Sequence, residues 1–241
     1  MKFIISNTYE ELSQKAAKHI IKVMSDKPSA VLGLATGSTP ISMYEELIKY
    51  NKQKTADFSR VVTFNLDEYI GIPPSHPQSY HYFMQTHFFN HININPQNIH
   101  IPNGMAKDLL VECTAYDNQI KSYGGIDIQV LGIGNNGHIG FNEPDDELTI
   151  GTHITSLTED TIKANSRFFE NIEQVPTHAI TMGLGAIMKA KEILLLANGE
   201  SKAEIISKLQ AGKIDTRIPA SVLQMHPNVT IIVDETAGKL L

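Results

Sequence analysis

Asp67 stands in the run Asn65-Leu66-Asp67-Glu68-Tyr69, directly after a short apolar segment. Neighbouring side chains on an extended chain point to opposite sides. One of the two carboxylates can therefore face a cleft while the other holds the scaffold. A carboxylate in a partly dry cleft can act as a general base. An isolated Asp-Glu pair also reads as a solvated acidic turn, and taken alone that is the commoner outcome. A second constellation lies in residues 132–144, where His138 is flanked by Gly137 and Gly140, with Asn136 two positions before it and Glu143 five after. An imidazole exchanges protons near neutrality, and a carboxylate beside it can set its tautomer and raise its basicity. A lone histidine is usually structural; the Gly, Asn and Glu around this one argue for chemistry. Gly132, Gly134 and Gly137 also spell a formal G-x-G-x-x-G. The dinucleotide reading needs a helix to open at those glycines. Gly140, Asn142 and Pro144 follow too closely for a long one.

The segment Thr36-Gly37-Ser38-Thr39-Pro40 follows another apolar run. Gly37 permits a tight backbone on which N–H groups converge, Thr39 is suited to cap a following helix, and Pro40 suits its first turn. Hydroxyls and a helix N-terminus together fit a phosphate monoester; a plain strand-to-helix turn fits as well. No Gly-Lys-Ser/Thr follows, so this is not a Walker loop. Two cations are candidates for an anion site: Arg167, and Lys202 beside Ser201 at a helix start, a second plausible place for a phosphate. Either alone reads more readily as a solvent-facing charge. The histidines show no metal-ligand spacing, His87 and His91 being four apart without an evident third ligand. No G-x-S-x-G elbow is present.

These residues need elements that hold them. Apolar runs at 2–6, 30–35, 61–66, 126–133, 179–182, 192–197 and 229–233 read as strands, several covered on both faces. Helical patterns lie between them at 9–24, 41–50, 80–89, 108–123, 158–167 and 201–210. The alternation predicts an α/β fold, a single domain over residues 1–241 with a mostly parallel sheet flanked by helices. Ligands in such sheets bind beyond the carboxyl ends of the strands, where all three loops fall. Among 241 residues, 41% are hydrophobic and 19% charged, an ordinary globular composition. The net charge of −6 offers no bulk field for nucleic acid or anionic membrane. The single cysteine, Cys113, points to a reducing compartment. No secretory leader or membrane-length apolar run is expected.

Together, residues 32–40, 65–71, 132–144, 164–169 and 201–203, with Gln174-Val175-Pro176 and Leu223-Gln224-Met225-His226-Pro227, resemble the glucosamine-6-phosphate deaminase family. The likeness runs in order along essentially the whole chain. It implies a Rossmann-like domain, a cytoplasmic location and a phosphorylated amino sugar as substrate. The implied reaction couples aldose–ketose isomerisation to deamination, giving fructose 6-phosphate and ammonia, with no metal or redox cofactor. It implies Asp67 as proton acceptor, His138 as the ring-opening group with Glu143 supporting it, and Asn136 at a third ring-opening position where many members carry aspartate. The implied phosphate site comprises Thr36, Gly37, Ser38, Thr39, Arg167 and Lys202. Regulated members carry an Arg and a Lys where this chain reads Gly151-Thr152-His153-Ile154-Thr155-Ser156, and they have a longer C-terminal tail; activation by N-acetylglucosamine 6-phosphate is therefore not expected. Two alternatives remain: a related sugar-phosphate isomerase or 6-phosphogluconolactonase, and a non-catalytic sugar-phosphate sensor.

Overall fold

Val, Ile and Leu crowd the central strands because helices cover the sheet on both faces, so nearly every position is buried. The computed structural model describes residues 1–158, 162, 166, 171 and 175–241. Its main sheet has seven parallel strands: β1 (Lys2–Ser6), β2 (Val31–Leu34), β3 (Val62–Asn65), β5 (Ile99–His100), β6 (Ile128–Leu131), β9 (Glu192–Ala197) and β10 (Val229–Asp234), in the order β1-β10-β9-β6-β2-β3-β5. Three further strands form an antiparallel sheet in the order β4-β8-β7: β4 (Asp67–Tyr69), β7 (His153–Ser156) and β8 (His178–Thr181). The result is a single α/β domain with a mostly parallel sheet.

The helices follow from their apolar faces and caps. In α1 (Tyr9–Asp26), Leu12, Ala16, Ile20 and Met24 recur every fourth residue and are buried, while Thr8 accepts the Glu11 N–H at 3.1 Å. Burying one such Leu or Ile side chain contributes roughly 1.5–3 kcal/mol. α2 (Ile41–Lys52) and α3 (Tyr80–His87) follow β2 and β4, and Asp108 caps α4 (Leu109–Ser122) through Leu110 N–H and Val111 N–H.

Strand order locates the binding crevice. From β2 the chain builds outward through β3 and β5, then crosses to β6 on the other side of β2 and continues through β9 and β10. The direction reverses between β2 and β6, and ligands of open α/β sheets bind at that reversal. The loops leaving β2 and β6 are two of the three expected from sequence.

Two expectations need correction. The run at 179–182 is β8 and pairs antiparallel outside the main sheet. Residues 67–69 are not a turn. Leu66 closes the parallel ladder by donating to Leu34 O at 3.1 Å and accepts from Met182 N at 2.6 Å. That second bond starts the antiparallel pairing of Asp67 with Thr181. Most of the expected helix at 158–167 lies outside the described residues.

Candidate active site

Asp67 opens β4 opposite Thr181. It is buried, and among the described residues no cation or hydrogen-bond donor meets its carboxylate. Burial, aided by the charge of the adjacent Glu68, pushes its pKa up to about 8. Glu68 points elsewhere, as alternation along a strand requires. Its Oε1 accepts Tyr69 N–H and Tyr80 N–H, each at 2.9 Å, and its Oε2 accepts His81 N–H at 2.8 Å. Burial raises Glu68 as well, opposed by those three donors.

The loop after β6 is built around its glycines. A Cβ on Gly134 would lie 2.4–2.5 Å from the His138 ring, so only glycine lets the imidazole lie over that backbone. Gly134 N donates to His138 O at 2.9 Å, and Gly137 N to Gly134 O at 3.0 Å. Gly137 has φ +90°, in the left-handed region where glycine is at ease. Glu143 Oε2 lies 3.2 Å from His138 Nδ1 and accepts Asn136 Nδ2 at 2.7 Å. Asn136 Oδ1 accepts the His138 backbone N–H at 3.1 Å. An ionised carboxylate only accepts. The proton therefore sits on Nδ1, and Nε2 is left for proton transfer. Glu143 is thus placed where a carboxylate can set the His138 tautomer, and Asn136 contacts both residues.

Gly140 joins the two constellations. Its hypothetical Cβ would lie 3.4 Å from Asp67 Oδ2 and 3.0 Å from Thr181 Oγ1, which accepts Phe141 N–H at 3.0 Å. Thr181 thus faces Asp67 in the ladder and pins the histidine loop beside it.

At the end of β2, Thr36 is half-buried while Gly37 and Ser38 are exposed. Gly37 has φ +92° and open space around it. Thr39 does not cap α2, contrary to expectation. Pro40 occupies the cap position without a side-chain bond, and Thr39 Oγ1 donates to Asn198 Oδ1 at 2.8 Å. Asn198 follows β9, so this bond spans the mouth of β6 and ties the threonine loop to the segment bearing Lys202. Lys202 ends a short 3-10 turn just before the helix Ala203–Gln210. It is half-buried, burial lowers its pKa, and among the described residues it makes no ion pair. Arg167 lies outside the described residues. Asn198, Thr181 and Gly134 escaped sequence reasoning. Only Gly134 carried a signal, its place in a glycine run; the other two act through contacts distant in sequence.

The family model described as glucosamine-6-phosphate isomerases/6-phosphogluconolactonase matches residues 6–232. A glucosamine-6-phosphate deaminase of Thermoanaerobacter pseudethanolicus is 59% identical over all of this chain and 95% of its own length. One from Clostridium perfringens is 55% identical over 100% of both chains. A solved monomeric glucosamine-6-phosphate deaminase superposes with a TM-score of 0.97 at 47% identity, covering 100% of each chain. A 6-phosphogluconolactonase from Thermotoga maritima shares the fold at a TM-score of 0.76 and 19% identity, over 97% of this chain and 99% of its own.

Proposed function

The chain belongs to the family of glucosamine-6-phosphate isomerases and 6-phosphogluconolactonases, and on that premise we propose that it converts glucosamine 6-phosphate to fructose 6-phosphate and ammonia. Residues 1–241 act as one deaminase-like unit in the cytoplasm. The observation that carries the reading is the meeting, at Gly140, of a buried carboxylate with raised basicity and a histidine loop whose tautomer is held by Glu143.

The phosphate binds among Thr36, Gly37, Ser38 and Thr39 on one side and Lys202 on the other, with Arg167 completing the site. This fixes the sugar across the mouth of β6. His138 takes the proton of the anomeric hydroxyl and delivers one to the ring oxygen, opening the pyranose, while Glu143 and Asn136 hold the imidazole. Asp67 removes the C2 proton, made acidic by the new C1 carbonyl and the C2 nitrogen, and an enolamine forms. Protonation at C1 gives a 2-imino sugar. Water adds to C2 and ammonia leaves. Each positioned acid or base contributes typically ~10²–10⁴-fold, and the anchored phosphate supplies orientation.

Coupled assay of ammonia and fructose 6-phosphate tests this reading. Release of both from glucosamine 6-phosphate, with at most about a hundredth of the kcat/KM on unphosphorylated glucosamine, is expected from the loss of phosphate anchoring. Hydrolysis of 6-phosphogluconolactone without ammonia release would assign the chain to the other branch of its family. Binding of the sugar phosphate without turnover would make it a sensor.

A further inference from the structure

Glu68 takes no part in the steps above, yet it is 4% exposed and carries an acidic group that burial disfavours. Its carboxylate faces away from Asp67, toward a cavity of about 100 Å³ lined also by Ile72, Pro74, His81, Ile101 and Met105. Both oxygens are used. Three backbone N–H groups converge on them, one from β4 and two from the first turn of α3. Ser79 already caps α3 by accepting Tyr82 N–H at 3.0 Å. The two N–H groups taken by Glu68 therefore couple the helix to the strand rather than merely close the helix. Convergent N–H donors favour an ionised carboxylate, and a helix N-terminus does so too.

Tyr80 heads that first turn. Its ring lies 4.7 Å from that of Tyr69 and 6.0 Å from that of Phe141, and its hydroxyl donates to the Tyr69 hydroxyl at 3.2 Å. Phe141 lies in the histidine loop, three residues after His138. The bonds made by Glu68 thus hold α3 against β4, and the Tyr80 ring against that loop.

We infer that Glu68 is the positioning residue for the proton transfer at Asp67: its carboxylate, anchored by three backbone N–H groups, locks α3 to β4 and keeps a fixed negative charge behind the base. The inference rests on the deaminase reading. Among the described residues, the groups that face Asp67 and Glu68 are Tyr69 on their own strand, Tyr80 and His81 of α3, and Tyr116 of α4. Across the site lie Gly140 and Thr181, which are uncharged, followed by His138 and Glu143 in the loop. Of these, Glu68 alone adds to the burial that raises Asp67.

The test compares Glu68→Gln with Glu68→Asp in an enzyme first shown to release ammonia. The profile of kcat/KM against pH is measured for each, with kcat expressed per site able to bind a competitive sugar-phosphate analogue. Glutamine removes the charge, so the acidic limb should move down by about one pH unit. Aspartate keeps the charge but is too short to reach Tyr80 N–H and His81 N–H. Its limb should stay within about 0.3 unit, with kcat per site down about tenfold. KM should stay within about twofold in both, because the phosphate loops sit on other strands. An unmoved limb in Glu68→Gln, a limb that moves equally in both variants, or a Glu68→Asp kcat per site within twofold of the parent overturns the inference. If Glu68→Gln yields no folded protein, the Glu68→Asp arm decides by the same two numbers. A parent enzyme that releases no ammonia refutes the deaminase reading instead.

Discussion

Asp67 and Asp127 expose equally little surface, each 6%, but Asp67 is packed more deeply and the two sit at opposite ends of the sheet. Asp127 lies just before β6. Its Oδ1 pairs with Lys191 Nζ at 2.7 Å; its Oδ2 pairs with Lys27 Nζ and accepts Val31 N–H, both at 2.7 Å. Burial pulls its pKa up, but Lys191, Lys27 and the Val31 N–H outweigh it and the group ends lowered. Asp67 receives no such partner among the described residues, and burial with the Glu68 charge drives it up to about 8. Equal exposure thus goes with opposite protonation behaviour. The difference lies in how deeply each carboxylate is packed and in whether the fold supplies donors, and among the described residues it withholds them at the crevice. A satisfied carboxylate is a girder. An unsatisfied one is left able to take up a proton, and it holds the fold less well.

The largest expected effect is on Asp67→Asn. Turnover of glucosamine 6-phosphate and solvent exchange at C2 should fall by ~10³-fold or more, the upper range for a lost general base, while a sugar-phosphate inhibitor binds within about threefold. Near-parental turnover would remove Asp67 from the mechanism. The pH dependence has a definite sign. The base acts deprotonated, so kcat/KM should rise with pH through about 8 in the free enzyme. The folded pKa lies above the ordinary 3.8, so Asp67 favours the fold when protonated, and this stabilisation is lost as pH climbs from about 4 through about 8. At pH 9 Asp67→Asn should therefore melt higher, by about 3–8 °C. A lower Tm would mean that Asp67 is also a girder.

Next in size is His138→Gln, which should slow closed pyranose by ~10²-fold but an open-chain analogue by less than about fivefold, since only the ring-opening proton transfer is lost. Equal slowing of both would move His138 into the isomerisation or hydrolysis step.

Asp127→Asn should leave kcat within about twofold at 20 °C. It should cost ~1–3 kcal/mol of stability by stripping the charge from two lysine contacts, both lysines being well exposed. Its folded pKa is lowered, so that stability is present at neutral pH and lost as pH falls below the ordinary carboxylate range. The variant and parent should draw together in Tm as pH falls below the ordinary carboxylate range; a gap that does not narrow there would assign the loss to packing.

The smallest effect belongs to Asn136→Asp. The new carboxylate would stand where Asn136 Nδ2 now meets Glu143 Oε2 at 2.7 Å, and one proton must then be shared between them. Turnover at pH 7 should stay within about threefold, with the shared proton visible as a shifted limb in the pH profile. A loss beyond tenfold would make the amide donor of Asn136 indispensable.

Much of this was legible in the chain. Short runs of Val, Ile and Leu between helix-length amphipathic segments marked six of the seven main strands, because burial on both faces leaves a plain compositional trace. The two-residue β5 left none. The spacing of Asn136, His138 and Glu143 within one loop made their pairing readable. Lys202 and the threonine loop were legible as separate anion sites, since each sits at a strand-to-helix transition.

Other features were settled only by the chain folding back on itself. The pairing of β4 with β8 turned an apparent acidic turn into a buried strand, and through it left the Asp67 carboxylate without a donor among the described residues while Glu68 anchors a helix. Thr39 left its expected cap for Asn198, 159 positions away. Residue types and local spacing determined which groups could do chemistry, because those depend on composition and on neighbours along the chain. The roles of the two carboxylates depended on dielectric and on donors brought from distant strands and helices, which no local pattern encodes.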